Sequence, residues 1–131
     1  MDIDEHTTAA EKRLDMWSDV INKCKAPVKA SDGVAIRTEF ITRIIACDEA
    51  IKETSVELDL LYMEHSTLEK EMIHGCDPLT DEQWDQYKLL EELMDYGLMI
   101  IVSGKKLLRK LIMHVIGRGI KNKTKEMNQH L

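Results

Sequence analysis

Glu71 and His74 form an E-x-x-H pair, with Cys76 two residues further on. That spacing puts a carboxylate and an imidazole on one helix face, as in di-iron carboxylate bundles. Such a centre needs a second E-x-x-H and a glutamate from each of two more helices. No second E-x-x-H lies on the first or third helical segment, so the pair reads as chance spacing on a polar helix end. His65 falls on an apolar seam and His114 among Leu111, Met113 and Val115. Those positions suit a core or register-setting histidine rather than a ligand. Cys24, Cys47 and Cys76 match no zinc or redox spacing and read as reduced thiols. There is no glycine-rich phosphate loop, and nothing marks a Ser/His/Asp or Cys/His nucleophile. The expectation is a protein that is not an enzyme and uses neither metal nor cofactor.

The basic segment 104–125 carries more weight. Lys105, Lys106, Arg109, Lys110 and Arg118 alternate with Leu107, Leu108, Leu111, Ile112, Val115 and Ile116. A basic amphipathic helix suits an anionic lipid surface, a calmodulin-like groove or nucleic acid phosphates. No aromatic residue interleaves with the cations, which makes nucleic acid the least favoured of these partners. Charge is segregated along the chain. Residues 1–95 hold ten Lys/Arg and 23 Asp/Glu, a balance of −13, and residues 96–131 hold eight and one, a balance of +7, giving −6 in all. Such a split means internal pairing of the two regions or a basic surface offered to an anionic partner. The simplest expectation is that the basic helix lies against Glu11, Asp15 and Asp19 of the first helix. Lys121, Lys123 and Lys125 read as a solvated tail.

These residues must be positioned by helices. At 131 residues, 44% hydrophobic, 32% charged and 5% aromatic, the chain has the vocabulary of long helices and the length of one domain. The domain is expected over 1–120, followed by a basic polar tail over 121–131. Acidic residues near Met1 and a longest uncharged run of nine, Tyr96 to Gly104, argue against a secretory signal and a membrane span. Asn122-Lys123-Thr124 then reads as a chance sequon, and the expected location is the cytoplasm.

Punctuation gives three helices, at about 8–26, 33–74 and 80–118. Thr8 and Glu11 have capping-box spacing, as do Thr80 and Gln83, the latter with Leu79 and Trp84 at staple positions. Pro27 closes the first helix, Ser31 or Asp32 caps the second, and Gly75 is a natural left-handed cap before Pro78. Apolar residues recur at alternating steps of three and four in all three helices, the signature of a coiled-coil seam. Gly97 and Gly104 fall on that seam, where they admit a bulky neighbour such as Trp17 or mark a kink. The expected fold is all-α: an elongated antiparallel three-helix bundle, a short first helix against a long hairpin.

Trp17 on the first seam and the segment EHSTLEKEM, Glu64 to Met72, resemble the helix A tryptophan and the H-x-x-L-E-x-E pattern of spectrin-type repeats. Trp17 and His65 stand further apart than in a standard repeat. The resemblance implies a cytoskeletal or scaffolding module without an active site. BAG-type co-chaperone domains and syntaxin regulatory domains share the long three-helix architecture, by analogy alone, and would imply a chaperone or SNARE partner.

Helix lengths sharpen the expectation. A first helix of half length covers residues 34–54 of the second and leaves 55–74 with 80–98 as a bare hairpin. Its seam of Leu58, Leu61, Leu68, Met72, Trp84, Tyr87, Leu90 and Met94 would need a partner, most simply a second copy pairing hairpin to hairpin. The function expected is a non-enzymatic scaffold or adaptor working through self-association. The alternative is binding to an anionic membrane or partner through the basic helix.

Overall fold

The computed structural model describes the backbone of residues 3–75 and 77–129, and the side chains of 7–75 and 77–117. Cys76 and the side chains of Arg118 and of the tail lie outside the described residues. The chain is a helical bundle of α1 (Ile3–Cys24), α2 (Gly33–His74) and α3 (Asp81–Gln129), with no strand among the described residues.

The caps follow local chemistry. Asp32 Oδ1 accepts from the Ala35 N–H at 2.7 Å at the start of α2. Thr80 and Gln83 form the reciprocal box: the Thr80 N–H donates to Gln83 Oε1 at 2.9 Å, and the Gln83 N–H to Thr80 Oγ1 at 3.2 Å. Three expectations are corrected. α1 begins at Ile3 rather than near Thr8, because Asp4 and Glu5 suit the positive end of the helix dipole and no breaker precedes them. Gly75 ends α2 in an extended conformation (φ −74°, ψ 146°), not a left-handed one. α3 runs past Gly117 and Gly119 to Gln129; a glycine costs a helix only about 1 kcal/mol, and no proline follows Pro78.

Contacts fix the order in which the helices meet. Along α2 and α3, Glu71 meets Gln83, His65 meets Glu91, Cys47 meets Gly104 and Phe40 meets His114. Falling numbers on one helix pair with rising numbers on the other. α1 lies against both. Arg13 meets Glu57, Cys24 meets Arg43, Thr7 meets Gln86 and Lys25 meets Ser103. The core joins all three helices through Leu14, Ile21, Cys47, Ala50, Leu58 and Leu90. Gly97 and Gly104 are close-approach points: α3 is helical across both, and a methyl on Gly104 would lie 2.8 Å from Ile51 Cγ1 and 3.0 Å from Ile21 Cδ1. The neighbours are aliphatic; Trp17 is not among the nearest atoms.

α1 is therefore seated further toward the α2–α3 turn than its length alone suggests. Its C-terminal end stands beside Arg43, ten residues into α2. Residues 27–31 have no helical structure. Five such residues span up to ~17 Å, while ten helical residues rise ~15 Å. The loop thus climbs along α2 and carries α1 down the bundle.

Candidate interaction site

The shift of α1 decides which seam residues are available. Leu58, Leu61, Leu90 and Met94 are buried inside the single chain. Leu14 explains part of this: it packs where Leu58 and Gly97 meet. Leu68 is half-buried against the core, and Tyr87 is half-buried with its ring stacked on His65, 4.4 Å between centroids. Only Met72 and Trp84 are exposed. The bare hairpin expected over 55–74 and 80–98 is thus a short tip beyond Leu68 and Gln86, where Met72, Ile73 and Trp84 face solvent.

An opening lies at the other end, where α1 has stopped but α2 and α3 continue. An open cleft of about 890 Å³ occupies the place a longer α1 would fill. Its apolar wall is Val28, Phe40, Leu107, Leu111 and Met113. Its cationic and imidazole groups are Lys25, Arg43, Arg109, Lys110 and His114, and among the described residues no carboxylate lines it. Two of these cations already have work. Arg43 donates to the Cys24 carbonyl at 3.1 Å and to the Ala26 carbonyl, closing the C-terminal end of α1, and its Nε meets Glu39 at 3.1 Å. Lys25 Nζ bonds Ser103 Oγ at 2.9 Å. His114 stacks on Phe40 at 4.9 Å.

The expected pairing of the basic helix with the first helix does not occur. Asp15 instead accepts from Tyr96 OH at 2.6 Å, and Glu57 of α2 takes Arg13 through two hydrogen bonds of 2.8 and 2.7 Å. Lys105, Lys106, Arg109 and Lys110 are exposed and make no ion pair among the described residues. The reason is the same register: α1 ends before the basic turns begin. Arg118 lies outside the described side chains.

The groups with chemical potential do not gather into a metal set among the described residues: no three of His, Cys, Asp and Glu come together, and Glu71 and His74 are exposed. His65 lies between Glu91 at 3.3 Å and Glu69 at 3.6 Å. Tyr87 donates to Glu69 at 3.0 Å, which pushes its phenol up to about 12. Cys24 and Cys47 are buried free thiols. Burial raises both, Cys47 to about 11, and withholds the thiolate needed for nucleophilic or redox work. No helix among the described residues is long and apolar enough to cross a membrane.

No family model, no curated protein and no solved structure matches the chain. Reading the sequence alone missed the cleft and its Lys25, Phe40, Arg43 and His114. The signal was present in the length and proline content of the first loop, which measures how far α1 can slide.

Proposed function

We propose that this chain is a non-enzymatic protein–protein interaction module, a scaffold or adaptor piece built as an elongated antiparallel coiled coil and working in the cytoplasm. The spectrin-type features, Trp17 and the Glu64 to Met72 segment, accord with that role. The observation that carries it is the seat of α1 left open at the basic end, with an apolar wall and unpaired cations. Seventeen large apolar side chains are exposed among the described residues, Val34, Ile41, Ile45, Met113 and Ile116 among them at that end. Surfaces of this kind mark association sites.

A second reading has its own support. Lys105, Lys106, Arg109 and Lys110 stand next to exposed Ile112, Met113 and Ile116, a pattern that also suits an anionic lipid surface. Two measurements separate them. Under the interaction reading, sedimentation velocity shows concentration-dependent association up to about 100 µM, and vesicles with about 30% phosphatidylserine do not pellet the protein. A monomer at every concentration that pellets with those vesicles, and not with neutral ones, would replace it by the membrane reading.

A further inference from the structure

We infer that the occupant of the open cleft is a second copy of this chain, whose acidic α2–α3 tip seats in the basic end of its neighbour, head to tail. This rests on the interaction reading above and names its partner. The two ends of the hairpin are opposite in charge. Residues 62–95 carry ten acids against two bases, and all ten acids are exposed. At the other end, residues 25–47 and 104–117 together carry eight Lys/Arg against Asp32 and Glu39. Each end also presents apolar surface: Met113 in the cleft with Ile112 and Ile116 exposed beside it, and Met72, Ile73 and Trp84 at the tip. An apolar centre within a charged rim of the opposite sign is the arrangement that complementary interfaces use.

Charge also selects the geometry. The hairpin-to-hairpin dimer expected from the sequence would set two tips face to face, each of net charge −8 over residues 62–95. Like charges at that range oppose the contact. Tip against cleft joins unlike charges. Phe40 and Met72 are 32 residues apart on α2, so the two ends are separated by ~50 Å and cannot close on each other within one chain. The contact joins two different surfaces of two chains, and with copies docked end to end along the long axis each added copy presents a fresh tip and a fresh cleft.

The test uses the full chain and two variants with helicity checked by circular dichroism. The cleft variant is Arg109→Glu with Lys110→Glu, and the tip variant is Glu71→Lys with Asp77→Lys and Asp85→Lys. Wild type should form species beyond a dimer in sedimentation velocity, weakening about tenfold or more between about 50 and 500 mM salt as screening sets in. Each variant alone should sediment as a monomer. Their equimolar mixture should associate again, because the unaltered tip of the cleft variant meets the unaltered cleft of the tip variant, and the lysine tip of the one meets the glutamate cleft of the other. If a variant fails to fold, the neutral pair Arg109→Gln and Lys110→Gln and the wild-type salt series still decide. A salt-insensitive dimer, or association that survives either variant, overturns head-to-tail docking and leaves the interaction reading standing. A wild-type monomer at about 100 µM overturns docking, and vesicle pelleting of that monomer overturns the reading beneath it.

Discussion

Thr54 is fully buried on α2, and its Oγ1 has no hydrogen-bond partner. A buried hydroxyl without a partner carries its desolvation cost uncompensated. Thr54→Val keeps the shape and removes the hydroxyl, so it should stabilise the chain by about 1 kcal/mol in urea unfolding; a loss of stability would contradict the unpaired hydroxyl. Cys47 makes a second residue-scale prediction. Its thiol donates to the Gly104 carbonyl at 3.2 Å, and burial lifts it from 9.0 to about 11. Below pH 9 the thiol is protonated in both folded and unfolded chains. From pH 9 to about 11 the unfolded chain loses its proton and the folded chain keeps it, so stability falls with rising pH by about 2–3 kcal/mol. Cys47→Ala should flatten that alkaline slope, and an unchanged slope would place its origin elsewhere. These roles were legible in part. Free thiols and a seam histidine at position 65 follow from residue type and spacing. The pairing of His65 with Glu91 and its stack on Tyr87 depend on which helices meet, and spacing within one helix is silent on that.

Helix ends were legible wherever a side chain bonds its own backbone. The Thr80/Gln83 box and the Asp32 cap are set within four residues, so the sequence contains everything they need. The start of α1 was misread because Thr8 and Glu11 imitate a box inside a helix that other residues extend to Ile3. The two seam glycines separate propensity from packing. At Gly97 an added methyl would meet the flexible end of Leu58 at 3.0 Å. At Gly104 it would meet the branched Ile51 at 2.8 Å, with Ile21 also at 3.0 Å. Alanine gains about 1 kcal/mol of helix propensity at either site, while overpacking costs about 1–3 kcal/mol. Gly97→Ala should be near neutral and Gly104→Ala destabilising by about 1–2 kcal/mol in thermal or urea unfolding. The reverse order would mean that α1 does not approach α3 at Gly104. Arg13 offers a further check on where α1 sits. Its partner Glu57 has a side chain only 9% exposed, against 47% for Arg13. Arg13→Ala should cost about 1–2 kcal/mol by leaving that carboxylate nearly buried and unpaired. A change below a few tenths would remove the contact from the account.

At the scale of the whole molecule, three helices, their order and their seams could be read from the chain, because period and punctuation are local properties. Where the short helix sits along the long ones could not, because it is set by the rise of an irregular loop. That one displacement buried Leu58, Leu61, Leu90 and Met94, shortened the bare tip and opened the basic end. The charge split was visible from composition, but its meaning changed: it runs from end to end of the hairpin and is not neutralised by α1. The central claim is that these unlike ends meet between copies. Disulfide trapping tests it most directly, with Met72→Cys on one chain and Met113→Cys on another, both in a Cys76→Ser background. Head-to-tail docking predicts a cross-link between the two different chains under mild oxidation, lost at high salt, and little Met72→Cys homodimer. A dominant Met72→Cys homodimer, insensitive to salt, would contradict it.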